Sequence, residues 1–204
     1  MLRTATVREL GPRDTAAVLR ALAADPVTGC MVAARVEEHG VDPRHLQGQL
    51  WTHARATTSL CFSGANLIPL AGSRAAVQAF TETAGRRRRS CSSLVGPAPM
   101  VLEMWAGLEP VWGPARDLRA SQPLLALHQE CRCAPDPAVR QVRIHELETY
   151  LPAAIAMFTE EVGVDPRGTD GGRSYRRRVG DLIAAGRAWA RFEGGEVVFK
   201  AEVG

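Results

Sequence analysis

Two consecutive glycines near the end of the 204-residue chain constrain its folding more than any other stretch. Ala188-Trp-Ala-Arg-Phe-Glu193 and Glu196-Val-Val-Phe-Lys-Ala-Glu-Val203 are alternating runs joined by Gly194-Gly195, and a Gly-Gly connection between such runs specifies a β-hairpin. Simple alternation about that loop pairs Phe192 with Val197, Ala190 with Phe199 and Ala188 with Ala201, all on one face. The other face then carries Trp189, Arg191, Glu193, Glu196, Val198, Lys200 and Glu202. The last strand has no further partner in the sequence. The chain therefore reads as the front part of something longer, and its edge is expected to self-associate by pairing with another chain.

The preceding residues read as strand, helix, loop, helix. Val139-Arg-Gln-Val-Arg-Ile144 alternates, and Leu147, Tyr150, Leu151, Ala154, Ile155, Phe158 and Val162 form a 3.6-period stripe that Gly163 stops. After a polar loop, Ser174 is placed to cap a second amphipathic helix marked by Tyr175, Val179, Leu182 and Ile183 and closed by Gly186.

This order, with Val139-Arg-Gln-Val-Arg143, Ala156-Met-Phe-Thr-Glu-Glu-Val-Gly163, Tyr175-Arg-Arg-Arg178 and Gly186-Arg-Ala-Trp-Ala-Arg-Phe192, resembles the N-terminal half of a GNAT acetyltransferase. More narrowly, it resembles a group of acetyltransferases from high-GC bacteria in which an uncharacterised domain precedes the GNAT domain. Cys30-Met-Val-Ala-Ala-Arg35, Leu60-Cys-Phe-Ser-Gly-Ala-Asn-Leu-Ile-Pro69 and Cys91-Ser-Ser-Leu-Val-Gly96 fit that group. The resemblance implies acetyl-CoA as co-substrate and acyl transfer to a small-molecule or peptide amine. It also implies a loop reading Gln/Arg-x-x-Gly-x-Gly/Ala one strand further on; no stretch of these residues has that pattern. No cofactor-binding residue is therefore expected among them.

Apolar residues make up 46% of the chain, enough for a core, and the net charge of +3 selects no partner. Residues 1–10 lack the apolar stretch of a signal peptide and no run is long enough to span a membrane, so a cytoplasmic location without membrane or nucleic-acid partners is expected. Five scattered cysteines do not form a disulfide framework. Cys30, Cys61 and Cys91 read as buried thiols. Cys131-Arg-Cys133, with His128 as the nearest further ligand, does not amount to a metal site.

From the start of the chain, Thr4–Leu10 reads as a strand. A helix capped by Asp14 and ending at Asp25-Pro26 follows, then one capped by Thr28 and stopped by Gly40. Leu50–His53 and Ser59–Leu70 read as strands, the second interrupted at Gly64-Ala65. A helix capped by Ser73 ends at Gly85, Cys91–Val95 is a strand, Pro97 and Pro99 open a helix, and Leu118–Leu127 is at best an edge strand. The expected fold class is α/β (α+β), with tandem GNAT-like mixed sheets flanked by helices: a degenerate domain over 1–130, a linker over 131–138, and an incomplete second domain over 139–204.

Two features of the first domain bear on ligands. Leu70-Ala-Gly-Ser-Arg-Ala-Ala76 lies where a GNAT fold would cradle pyrophosphate, but its single Gly72 reads as the end of a strand before a capped helix. Gly85-Arg-Arg-Arg-Arg-Ser90 is either a phosphate-binding patch or a solvated loop of cations at a helix C-terminus. The absence of interleaved aromatics favours the loop.

In the second domain the loop between the helices would line the acceptor site of a GNAT enzyme. Phe158, Glu160, Glu161 and Tyr175 flank that loop, as a wall for a cationic amine or simply as helix-end residues. No catalytic base is legible. A non-catalytic GNAT-like binding module is the alternative to an acetyltransferase.

Overall fold

Alternating apolar residues in strands and 3.6-period stripes in helices produce the mixed α/β architecture of the computed structural model, which describes residues 7–53 and 57–203. Thr4, Ala5 and Thr6 of the expected first strand, and Gly204, lie outside the described residues. Chain contacts divide the protein into two compact units, Met1–Leu127 and His128–Gly204.

In the first unit a five-stranded sheet runs β1 (Val7–Glu9), β2 (Gln49–His53), β3 (Leu60–Ser63), β4 (Asn66–Ala71), β5 (Ser93–Leu94). Neighbours are antiparallel except β4 and β5, which are parallel and joined through α4 (Arg74–Arg86). One face, with Leu50, Leu60, Phe62 and Ile68, packs on α1 (Thr15–Leu22) and α2 (Cys30–His39) through Val18, Leu22, Val32 and Val36. The short α3 (Pro43–Leu46) adds Leu46. The opposite face, with Trp51, Cys61 and Leu67, packs on α4 and α5 (Ala98–Trp112) through Val77, Phe80, Met104 and Leu108. Residues of alternating direction are thus both buried, which is why these strands read as nearly continuous apolar runs. Helices α4 and α5 approach so closely that a Cβ on Gly107 would meet Thr81 Cγ2 at 2.6 Å.

The second unit builds a three-stranded antiparallel sheet from β6 (Arg140–Gln141), β7 (Ala188–Glu193) and β8 (Glu196–Glu202). Helices α6 (Leu147–Val162) and α7 (Arg173–Ala184) cover one face, where Leu147, Tyr150, Ala154, Val179 and Ile183 meet Ala188 and Ala190. Gly163, at φ 73°, ends α6 in the left-handed conformation that glycine adopts without penalty.

Both units open in the same way. In the first, Asp14 accepts a bidentate pair from Arg8 (3.0 and 3.1 Å) and the Gly11 N–H (2.9 Å). In the second, Glu146 accepts a bidentate pair from Arg140 (2.8 and 2.7 Å) and the Arg143 N–H (2.8 Å). Each device clamps a strand to the 3-10 turn that starts the first helix (Pro12–Asp14 and Ile144–Glu146). The N–H of the intervening buried residue then joins the next long strand: Leu10 to the Leu50 carbonyl, Val142 to that of Ala188.

Several local expectations need correction. The hairpin contains a bulge: Phe192 faces Val197, but Arg191 faces Phe199 and Ala190 faces Lys200, so Val198 is the extra residue. Beyond it every side chain of β8 changes face. Phe199 is exposed, while the Lys200 side chain is 7% exposed on the helix side. Asp14 stands at the N-cap of α1, but its carboxylate accepts from the preceding Gly11 N–H and not from the helix. Asp170 accepts from Gly172 and Ser174, so the start of α7 is held by Asp170 rather than by a Ser174 cap. Gly29, not Thr28, caps α2, and α4 runs through Gly85 to Arg86. Cys30 is exposed, although Cys61 and Cys91 are buried. Residues 118–127 form no strand.

Candidate functional site

Of the four residues expected to flank an acceptor site, two meet and two do not. Phe158 of α6 and Tyr175 of α7 meet edge to face, with centroids 5.4 Å apart and planes at 63°, an arrangement favoured by the aromatic quadrupole. The Tyr175 hydroxyl donates to the Ala154 carbonyl at 3.0 Å, tying α7 to α6. Burial holds its phenol above the ordinary pKa, with the Glu202 charge adding to the effect. Glu160 and Glu161 are exposed and make no ion pair or hydrogen bond among the described residues. Glu161, three residues after Phe158, shares its side of the helix; Glu160 does not. Both acids lie in the last turn, where the helix dipole disfavours negative charge.

A second cluster was not legible in the sequence. Tyr150 sits in the α6 stripe as an ordinary core residue, but its hydroxyl donates to Glu202 Oε1 at 3.0 Å. Lys200 Nζ lies 2.9 Å from the same carboxylate oxygen and 5.6 Å from the Tyr150 ring centroid. Burial, reinforced by the neighbouring Glu202 charge, raises the Tyr150 pKa. The phenol is therefore a fixed donor at neutral pH. Glu202 accepts from the Tyr150 hydroxyl and pairs with the Lys200 ammonium, so it is not a free base in this arrangement. The available signal was the chain's single lysine; the bulge that turns it inward has no sequence signature beyond the hairpin itself.

On the outer face of the second sheet lies an open groove of about 670 Å³. Trp189, Val198 and Phe199 supply its apolar part, and Arg191 bridges Asp136 (2.9 Å) and Glu193. No group of three or more His, Cys, Asp or Glu able to hold a metal occurs among the described residues. No helix among them is long and apolar enough to cross a membrane.

In the first unit the turn before α4 is closed on itself. Ser73 Oγ accepts from the Ala76 N–H at 3.4 Å, and Arg74 pairs with Glu103 at 2.9 Å. At the other end of α4 the arginine run is less solvated than expected. Arg87 lies over the Trp51 ring at 5.0 Å and Arg89 over the Trp112 ring at 5.1 Å. Arginine commonly stacks on aromatic faces in this way.

Comparison with curated proteins and with solved structures gave no match. A family model does match, over residues 48–150, just over half of the chain, from the start of β2 to the first turn of α6. The chain belongs to the family of that model, described as a domain of unknown function (DUF4081).

Proposed function

We propose that the protein is an acetyl-CoA-dependent N-acetyltransferase of the GNAT type, its second unit supplying the acceptor-side half of the catalytic domain and its first unit a non-catalytic GNAT-like domain. The observation that carries this reading is the shared opening of the two units. Each runs strand, clamped 3-10 turn, two longer helices (followed in the first unit by the short α3), then antiparallel strands beginning beside the first. The first unit continues to a parallel β4–β5 pair joined through a helix, which is the order the resemblance implies for a GNAT fold. Against catalysis in the first unit stands the turn at Gly72, where Ser73 already uses the Ala76 N–H in the first turn of α4 and Arg74 is ion-paired.

In the second unit the Phe158–Tyr175 pair would form the wall for the acceptor amine, with Glu161 beside it to attract a cation. Attack of a neutral amine on the thioester needs a base and an oxyanion donor. Neither role, nor the binding of acetyl-CoA, is placed on a residue of these two units. The edge of β8 that pairs with no strand among the described residues would pair with an added strand, whether from a longer chain or from a second copy.

Reading the gene past codon 204 tests the assignment. A strand followed by Gln/Arg-x-x-Gly-x-Gly/Ala and a helix is expected. A continuation without that loop would favour the alternative, a GNAT-like module that binds and does not catalyse.

A further inference from the structure

We propose that the first unit carries a small-molecule phosphate site at the C-terminal end of α4, formed by the arginine run and the two tryptophans beneath it. A pocket of about 540 Å³ opens there, a size suited to small ligands. Its lining includes Arg87, Arg88, Arg89, Trp51 and Trp112, and no carboxylate.

The four arginines are not equivalent. Arg86 is paired with Glu82 at 3.1 Å. Arg87 is paired with Glu9 at 2.6 Å, donates to Gln49 at 2.7 Å and covers Trp51. Those two are neutralised. Arg89 is held by stacking on Trp112 and by a bond from Nε to the Cys91 carbonyl at 3.0 Å, which leaves its terminal nitrogens free of carboxylate. Arg88 has no hydrogen-bonding or ionic partner among the described residues. Two uncompensated guanidinium groups therefore converge on one pocket, one of them already fixed in direction by an aromatic plane. A fixed planar fork matches the oxygens of a phosphate, which it can bind bidentately, and two positive charges match one phosphate dianion. The site lies at the end of the sheet away from the Gly72 turn, so it does not depend on the acetyltransferase reading.

A small ligand is favoured over a nucleic acid because Arg88 and Arg89 both line this one pocket. Tracking a polynucleotide backbone requires a basic stripe and stacking platforms in series. Trp51 is already buried beneath Arg87.

Isothermal titration of the 204-residue chain with inorganic pyrophosphate, and separately with ADP, tests the site. Saturable one-site binding with Kd below about 1 mM is expected for at least one probe. Pyrophosphate binding alone would mean that the anion suffices; tighter ADP binding would mean that the organic part rests on the aromatic wall. The double variant Arg88→Gln/Arg89→Gln should weaken binding by about tenfold or more, with an unchanged far-UV spectrum. Arg177→Gln/Arg178→Gln removes the same charge from α7 and should leave Kd unchanged. No saturable binding of either probe, or equal weakening by both double variants, would overturn the proposal. So would a twelve-nucleotide single strand binding more than about tenfold tighter than either probe, because it would assign the arginines to nucleic acid.

Discussion

Trp51 and Trp189 occupy the same place in two sheets and have different surroundings. Glu9 faces Trp51 across β1 and β2, and Gln141 faces Trp189 across β6 and β7, each one residue beyond the clamping arginine. Trp51 is 1% exposed, packed with α4 and α5 and covered by Arg87; Trp189 is 36% exposed. The strand alone does not decide the burial of its outward face. The elements that cross over it do, and among the described residues of the second unit none is a helix on that face. The two units share an opening and differ in closure.

The largest effect expected from that comparison is on stability. Trp51→Ala removes a fully buried aromatic and should cost about 3–5 kcal/mol, whereas Trp189→Ala should cost about 1 kcal/mol or less. Urea unfolding of each variant, followed by far-UV circular dichroism, measures both. Equal losses would mean that the outer face of the second sheet is covered in solution.

The bulge in β8 gives the next test. Lys200→Ala removes a buried ammonium from Glu202 and from the Tyr150 ring, and is expected to cost about 1–3 kcal/mol. Phe199→Asp, on the exposed face, should cost under about 1 kcal/mol. Simple alternation from Gly194-Gly195 gives the opposite order, so a larger loss for Phe199→Asp would restore the unbulged register.

The smallest effect concerns the shared clamp. The Arg140 guanidinium, aided by the Arg143 N–H, brings the Glu146 carboxyl down to about 2 from its ordinary value of 4.5. Arg8 and the Gly11 N–H lower Asp14 likewise. A carboxyl depressed in the folded state contributes stability above its ordinary value, and that contribution is lost as pH falls from about 4.5 to about 2. Arg8→Gln and Arg140→Gln should each flatten this acid limb of a stability–pH curve, modestly because both arginines are exposed to solvent. If only one of them does so, the two openings are not equivalent.

The sequence carried the mixed α/β class, most helices and the hairpin, because those depend on periodicity and on glycine. Tyr150, Ala154 and Val179 were readable as core from spacing alone. Phe158 and Tyr175 were readable as neighbours of one loop, and they meet. Glu160 and Glu161 flank the same loop, but adjacent helical residues point about 100° apart and cannot act as a pair on one face. Simple alternation puts Lys200 and Glu202 on the wrong face because one extra residue inverts the pattern beyond it. The clamping roles of Asp14 and Glu146 depend on arginines six residues earlier, a distance that no local capping rule covers. Arg87 and Arg89 appeared as loop cations because the tryptophans beneath them are 36 and 23 residues away in the chain.

The most direct test of the acetyltransferase reading is turnover by the protein translated from the whole reading frame that contains these residues. Release of free coenzyme A from acetyl-CoA would be followed with a thiol reagent, in the presence of small amines, polyamines and peptides with free N-termini. The account requires thiol release that depends on one of these amines and falls when Tyr175→Ala opens the acceptor wall, with the acetyl group recovered on the amine. Acetyl-CoA that stays intact with every acceptor class, in a protein shown to be folded, would contradict it and leave the second unit as a binding module.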